Sequence, residues 1–320
     1  MKSLLSQALL VTLVATATSF GQTEAKTKPV GYESITLNAN QFNVVGLRLQ
    51  GSTVASGTLE TIGTSSVTDN EGSFATILTS GKTYVLEITS GTLSGLTVEA
   101  TWTSGNVLNT PDNLSSAGVT AGVSYNLRPA LTLEEVFGTA SSTVLTQGLN
   151  VNVADVIWVP NGTGGYNRYF LHSSLGWRTA ANAAAANTPI VYTDGVFIEK
   201  KNAAATLTVS GEVKVAGSSV PVINGFNIIS TVYPAGSTLQ NIGLDDDVQK
   251  GINVNVADVI WVPNGSGGYD RYFLHSSLGW RTALSVAAPS NLALPSGLLI
   301  ERKGAAAVFD FTPPSAYSGL

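Results

Sequence analysis

The chain contains no cysteine, one methionine and two histidines in 320 residues. Without cysteine there is no disulfide framework, no thiolate metal site and no cysteine nucleophile. Charge is scarce as well. Asp, Glu, Lys and Arg together make up 12% of the chain, about half the usual share. With 16 Lys+Arg against 21 Asp+Glu the formal net charge is −5, so the basic footprint of a nucleic-acid-binding protein is missing and no nucleic-acid partner is expected. Beyond the N-terminus no apolar run reaches the roughly 18 residues a spanning helix needs, so no membrane span is expected in the mature protein. This composition excludes a coiled coil, a highly charged disordered chain and a long helical bundle.

What is present is apolar and β-branched sequence broken by turn formers. Apolar residues reach 43%, glycines number 33, and Ser and Thr are abundant. At the start, Lys2 precedes an apolar stretch from Leu4 to Ala15, and Ala15-Thr16-Ala17 has the A-x-A form of a cleavage site. Residues 1–22 therefore read as a secretory signal. A bacterial, exported protein is expected, located in the periplasm, at the cell surface or in the extracellular space. Its stability would come from packing rather than disulfides.

The dominant feature is an internal repeat. Residues 148–180 read GLNVNVADVIWVPNGTGGYNRYFLHSSLGWRTA, and residues 251–283 repeat them with differences only at Leu149/Ile252, Thr163/Ser266 and Asn167/Asp270. Downstream, Gly195 to Lys201 matches Gly297 to Lys303 more loosely. Gln41-Phe42-Asn43-Val44-Val45 resembles Gly225-Phe226-Asn227-Ile228-Ile229, so the first region is a lead-in or a diverged relative. Period-two alternation predicts strands at Thr83–Ile88, Thr97–Trp102, Asp155–Val159 and Tyr166–His172. The Asn-Gly and Gly-Gly steps of 161–165 predict a hairpin tip. Thr132 to Phe137 predicts one capped helical turn. The expected fold is all-β: an N-terminal β region (23–124) and two tandem homologous sandwich- or barrel-like repeat domains (125–215 and 216–320).

Each copy gathers aromatic rings, arginines and a histidine: Trp158, Tyr166, Arg168, His172, Trp177 and Arg178 in the first, and Trp261, Tyr269, Arg271, His275, Trp280 and Arg281 in the second. Rings that stack on sugar C–H faces, with fixed donors to set orientation, would make a ligand surface. The favoured reading is packing, because Trp and Tyr anchor small β structures and Arg commonly lies over a ring. Two pairing registers are open, one placing Arg168 opposite Trp158 and the other Asn167. His172 and His275 lack metal-ligand spacing and read as hydrogen-bonded strand-end residues. With no G-x-S-x-G and only adjacent serines beside His172, a hydrolase is a remote alternative. Asp245-Asp246-Asp247 lacks EF-hand spacing and reads as an exposed loop. Glu199-Lys200-Lys201 and Glu301-Arg302-Lys303 read as solvated strand ends. No catalytic residue, metal or cofactor is expected.

The order P-x-x-T-L, ADVIWVPNGxGGYxRYF, LGWR, a strand ending in basic residues at Gly195–Lys201 and Gly297–Lys303, and LTVSGEV resembles a paralogous family of secreted, β-rich proteins from verrucomicrobial bacteria. The resemblance spans most of 125–311, and Val30-Gly31-Tyr32 shares it. It implies export and a repeated β architecture, and carries no catalytic or binding residue. The second copy departs from it, ending in Val308-Phe309-Asp310-Phe311 where the first has Leu207-Thr208-Val209-Ser210, which leaves the pairing of its last strand open. The function expected from sequence is a non-enzymatic structural or interaction protein, its partners envelope or matrix components. The alternative is a bivalent carbohydrate-binding module taking glycans.

Overall fold

A computed structural model describes residues 28–320; the expected signal segment lies outside the described residues. The fold is all-β, with antiparallel strand pairing throughout its sheets. Its longest described helix is the five-residue Leu133–Phe137. That turn carries the expected cap: the Thr132 hydroxyl accepts from the Glu135 amide, while the Glu135 carboxylate accepts from the Thr132 amide, so two otherwise unpaired donors are satisfied.

Both copies of the repeated segment fold alike. In the first, strands Gly176–Thr179, Tyr166–His172, Val156–Pro160, Gly195–Lys200 and Gln41–Gly46 lie side by side in that order. In the second, the order is Gly279–Thr282, Tyr269–His275, Val259–Pro263, Gly297–Arg302 and Gly225–Ser230. Gln41–Gly46 thus occupies the place that Gly225–Ser230 holds, which explains the sequence likeness between them. The strand preceding each is also equivalent. Val30–Leu37 pairs with Ala205–Val213, and Ser218–Val222 pairs with Ala307–Phe311. The final strand of the second copy is therefore paired as its counterpart is, despite its different sequence.

Between Gln50 and Leu131 the chain builds a separate seven-stranded sheet with its own core of Leu59, Phe74, Leu86, Leu108 and Leu127. Val123–Pro129, which straddles the sequence boundary drawn at 124/125, is a central strand of this sheet. The sheet is tied to the rest by a buried network in which Glu87 accepts from both Arg128 and Lys214.

The two five-stranded sheets share one core, to which the first contributes Ile157, Leu171 and Trp177 and the second Ile260, Leu274 and Trp280. They abut at Gly46, Gly195 and Gly297. A Cβ built on Gly46 would fall 2.2 Å from the Ser296 carbonyl, and one on Gly297 would fall 2.9 Å from the Gly46 nitrogen. Only glycine permits backbones to approach that closely.

Candidate functional site

The hairpin of each copy is organised by its asparagine. Asn161 Oδ1 accepts from the Thr163 amide (3.0 Å), the Thr163 hydroxyl (2.8 Å) and the Gly165 amide (3.0 Å). Asn264 repeats this with Ser266 and Gly268. Gly162, Gly164, Gly265 and Gly267 all have φ between 74° and 86°, a region that L side chains rarely enter. The tight tip fixes the register, and Trp158 stands opposite Arg168 and Trp261 opposite Arg271.

That register builds a row across each sheet on the face turned away from the common core. In the first sheet the row runs Val44, Phe197, Trp158, Arg168; in the second it runs Ile228, Leu299, Trp261, Arg271. Each guanidinium sits 5.3 Å from the centroid of its tryptophan ring. Tyr166 and Phe42 pack edge-on against Trp158, and Tyr269 and Phe226 do the same against Trp261. The inner ends of the rows meet in a small apolar cluster of Val44, Ile228 and Leu299. The outer ends stay open, with Arg168 and Arg271 exposed; Phe42 and Phe226, on the strands of the inner ends, are 47% and 50% exposed. Burial pushes the Tyr166 and Tyr269 hydroxyls above the ordinary tyrosine pKa.

The twelve residues singled out in the sequence do not form one surface. Trp158, Tyr166, Arg168, Trp261, Tyr269 and Arg271 share the outer rows. Trp177 and Trp280 point the other way and are buried in the common core. The Trp177 indole donates to the Gly138 carbonyl (2.8 Å) and the Trp280 indole to the Asp245 carboxylate (2.6 Å). They line no surface. Strand parity puts Trp177 beside Leu171, opposite in sense to the hairpin arginines. His172 is buried and His275 half-buried; each Nδ1 accepts from the backbone amide of Ser174 or Ser277 at 3.1 Å. Arg178 and Arg281 are half-buried and bond to nearby carbonyls.

Two sequence expectations are corrected. Lys200 is buried, not a solvated strand end. Its ammonium lies 2.6 Å from the fully buried Asp155 carboxylate, which also accepts from the Lys201 and Thr146 amides. Arg302 and Asp258 repeat the clamp. The basic strand end closes a buried carboxylate site because an unpaired charge there would be costly. Asp245 and Asp247 are likewise structural. Asp245 holds Trp280, and Asp247 accepts from the Asp310 amide (2.6 Å).

Two clefts flank the rows, each lying between the hairpin tip of one copy and the lead strands of the other. A cleft of about 250 Å³ is bordered by Gly265–Tyr269, Phe42, the Glu33–Arg48 ion pair and Ser296. Its counterpart, about 180 Å³, is bordered by Gly162–Tyr166, Phe226, Pro221 and Asp194. Asp194 and Ser296 hold equivalent positions, each just before the glycine that opens its strand. Asp194 opens to the cleft, yet the surrounding protein mass, together with Glu99 and Asp112 from the seven-stranded sheet, pushes its carboxyl up to about 7.

The phenylalanines that border the rows and clefts were not among the sequence candidates. The Phe-Asn motif shared by 41–45 and 225–229 was the signal, but nothing local says that Phe42 will lie beside Trp158. Among the described residues no group of three or more His, Asp or Glu side chains is placed to hold a metal ion, and no helix is long and apolar enough to cross a membrane. No protein-family model, curated protein or solved structure matches the chain.

Proposed function

We propose that the chain is an exported, non-enzymatic interaction protein of the cell envelope or extracellular space that holds its partner on the two aromatic–arginine rows. The observation that carries this reading is the equivalence of the rows. Two half-exposed phenylalanines and two arginines over tryptophan rings stand at the same register positions in separate sheets. Partly exposed aromatic rings beside arginine are the composition of recognition surfaces. The N-terminal signal pattern and the resemblance to secreted verrucomicrobial β-rich proteins support export. The repeat reads as two linked binding modules, which raise avidity when both engage.

Glycans are the second reading, favoured by the half-exposed rings of Phe42 and Phe226, against which sugar C–H groups would pack. Both readings are tested with purified full chain against envelope fractions and a glycan panel. The variant Phe42→Ala/Arg168→Ala/Phe226→Ala/Arg271→Ala should lose binding at least tenfold while its circular dichroism is unchanged. Retention by envelope proteins with no glycan signal selects the first reading, and a glycan signal abolished in the variant selects the second. Undiminished binding in the folded variant removes the rows from the site.

A further inference from the structure

The strand Val30–Leu37 lies at the edge of its sheet, paired on one side with Ala205–Val213. Among the described residues, nothing pairs its other side. The Val213 amide donates to the Pro29 carbonyl at 2.8 Å, which sets the alternation of the ladder. Gly31, Glu33, Ile35 and Leu37 turn their backbone groups toward the paired strand. Val30, Tyr32, Ser34 and Thr36 turn theirs outward. Val30 and Tyr32 are also 75% and 79% exposed.

The equivalent edge in the second copy is closed twice over. Register with the paired strands places Ser218–Val222 over Glu33–Leu37, so Ser219 matches Ser34 and Pro221 matches Thr36. Ser219 is bridged by Leu96 of the seven-stranded sheet, and its hydroxyl donates to the Ser94 carbonyl. Pro221 removes the next outward donor. Proline and covering loops are standard ways of blunting an edge; the first copy has Thr36 where the second has Pro221, and no strand or bridge covers it among the described residues. The second hairpin tip stands across a cleft of about 250 Å³ from Glu33–Thr36 and makes no ladder pairing with them.

We propose that the Val30–Thr36 edge pairs antiparallel with the same edge of a second copy of this chain, joining two three-stranded sheets across a two-fold axis. The outward groups are self-complementary. With the axis at Ser34, Tyr32 of one protomer lies opposite Thr36 of the partner subunit, an aromatic against a β-branched residue, which is a favourable cross-strand pair. No like charges collide, because Glu33 is the only residue of the strand charged at neutral pH and it is held by Arg48. This inference does not rest on the aromatic rows, and loss of partner binding there leaves it standing.

The test is sedimentation velocity of the purified full chain from micromolar to millimolar concentration, with a reversible monomer–dimer equilibrium expected. Thr36→Pro copies what the chain already carries at Pro221 and should shift the protein to monomer. Ser34→Lys, which places two ammonium groups on the axis, should do the same if the proline variant fails to fold. Because the chain has no cysteine, Ser34→Cys gives an unambiguous second readout. Hydrogen-bonded antiparallel pairs hold their Cα atoms about 5.5 Å apart, within disulfide reach. Oxidised Ser34→Cys should run as a covalent dimer, while Asn167→Cys, exposed elsewhere, should not. Monomer at every concentration overturns the proposal, as does a dimer that survives in folded Thr36→Pro or Ser34→Lys.

Discussion

The two copies agree at their hairpins and differ in what holds them. Asn161 and Asn264 make the same three bonds, within 0.1 Å of each other, and the arginine-to-tryptophan distances are equal. Beneath and beside these hairpins the partners diverge. Lys200 stands where the second copy has Arg302, Phe197 where it has Leu299, and Asp194 where it has Ser296. The Trp177 indole donates to a carbonyl and the Trp280 indole to a carboxylate. The Trp158 indole donates to Glu199 at 3.2 Å, whereas the Trp261 indole has no partner. Glu301 is paired with Lys303 as Glu199 is with Lys201, but it makes no bond to the Trp261 indole. The repeated segment is thus a self-contained hairpin module, and these differences enter through residues outside it. Local geometry survives duplication because the module carries its own hydrogen bonds.

The largest expected effect tests the buried clamps. Asp155→Ala leaves Lys200, whose side chain is 2% exposed, as a buried charge without its counter-ion. Breaking such a pair costs about 3–5 kcal/mol. Asp258→Ala should cost less, toward the lower end of that range. Arg302 is 12% exposed and keeps bonds to the Ala305 and Asp247 carbonyls. Denaturant midpoints of the two variants measure the difference; equal losses would mean that the clamps are energetically interchangeable.

How far the sequence foretold this structure follows from the range of each interaction. The hairpin strands, the glycine tip and the Thr132 cap depend on neighbours within a few residues, and all were legible. Pairing of Gln41–Gly46 with Gly195–Lys200 joins segments separated by the whole seven-stranded sheet, and periodicity carries no information about partners. The outer row is half legible: strand alternation sets Tyr166 and Arg168 on one face, but only the register selects Trp158 over its neighbours. Lys200 was misread because a charged strand end looks the same in sequence whether a buried carboxylate waits for it or not. Asp155 recurs as Asp258 in the repeat, but its distance from Lys200 along the chain hides the match.

A smaller effect separates the outer tryptophans. Trp158→Phe and Trp261→Phe remove the same ring atoms from matching places, so their packing losses should nearly cancel. The first also loses a bond to a carboxylate, for which about 1.5 kcal/mol is the low end. The second removes a buried donor that has no acceptor, which relieves a desolvation cost. Trp158→Phe is therefore expected to be more destabilising by about 1.5 kcal/mol or more, read from paired denaturation curves. Equal losses would mean that Trp261 finds a water or carboxylate partner in solution.

The smallest effect concerns Asp194, which has no acidic counterpart in the second copy. Its carboxyl is pushed up to about 7 from an ordinary 3.8, because the surrounding protein mass and the nearby charges of Glu99 and Asp112 disfavour its ionised form even where it opens to the cleft. A folded-state pKa above the unfolded value means that the folded protein binds the proton more tightly. Its contribution is fully present below about pH 3.8 and is lost as pH rises through 7. Asp194→Asn should therefore flatten the fall in stability between pH 4 and 7, leaving the variant more stable than the parent at pH 8. The side chain opens to a cleft, so water and salt screen part of this gain, and it should stay below that of the tryptophan pair. Glu99→Gln removes one of the two facing carboxylates and should move the transition to lower pH without abolishing it. If Asp194→Asn and the parent follow the same stability curve from pH 4 to 8, the cleft carboxylate is fully solvated and the two clefts differ in shape alone.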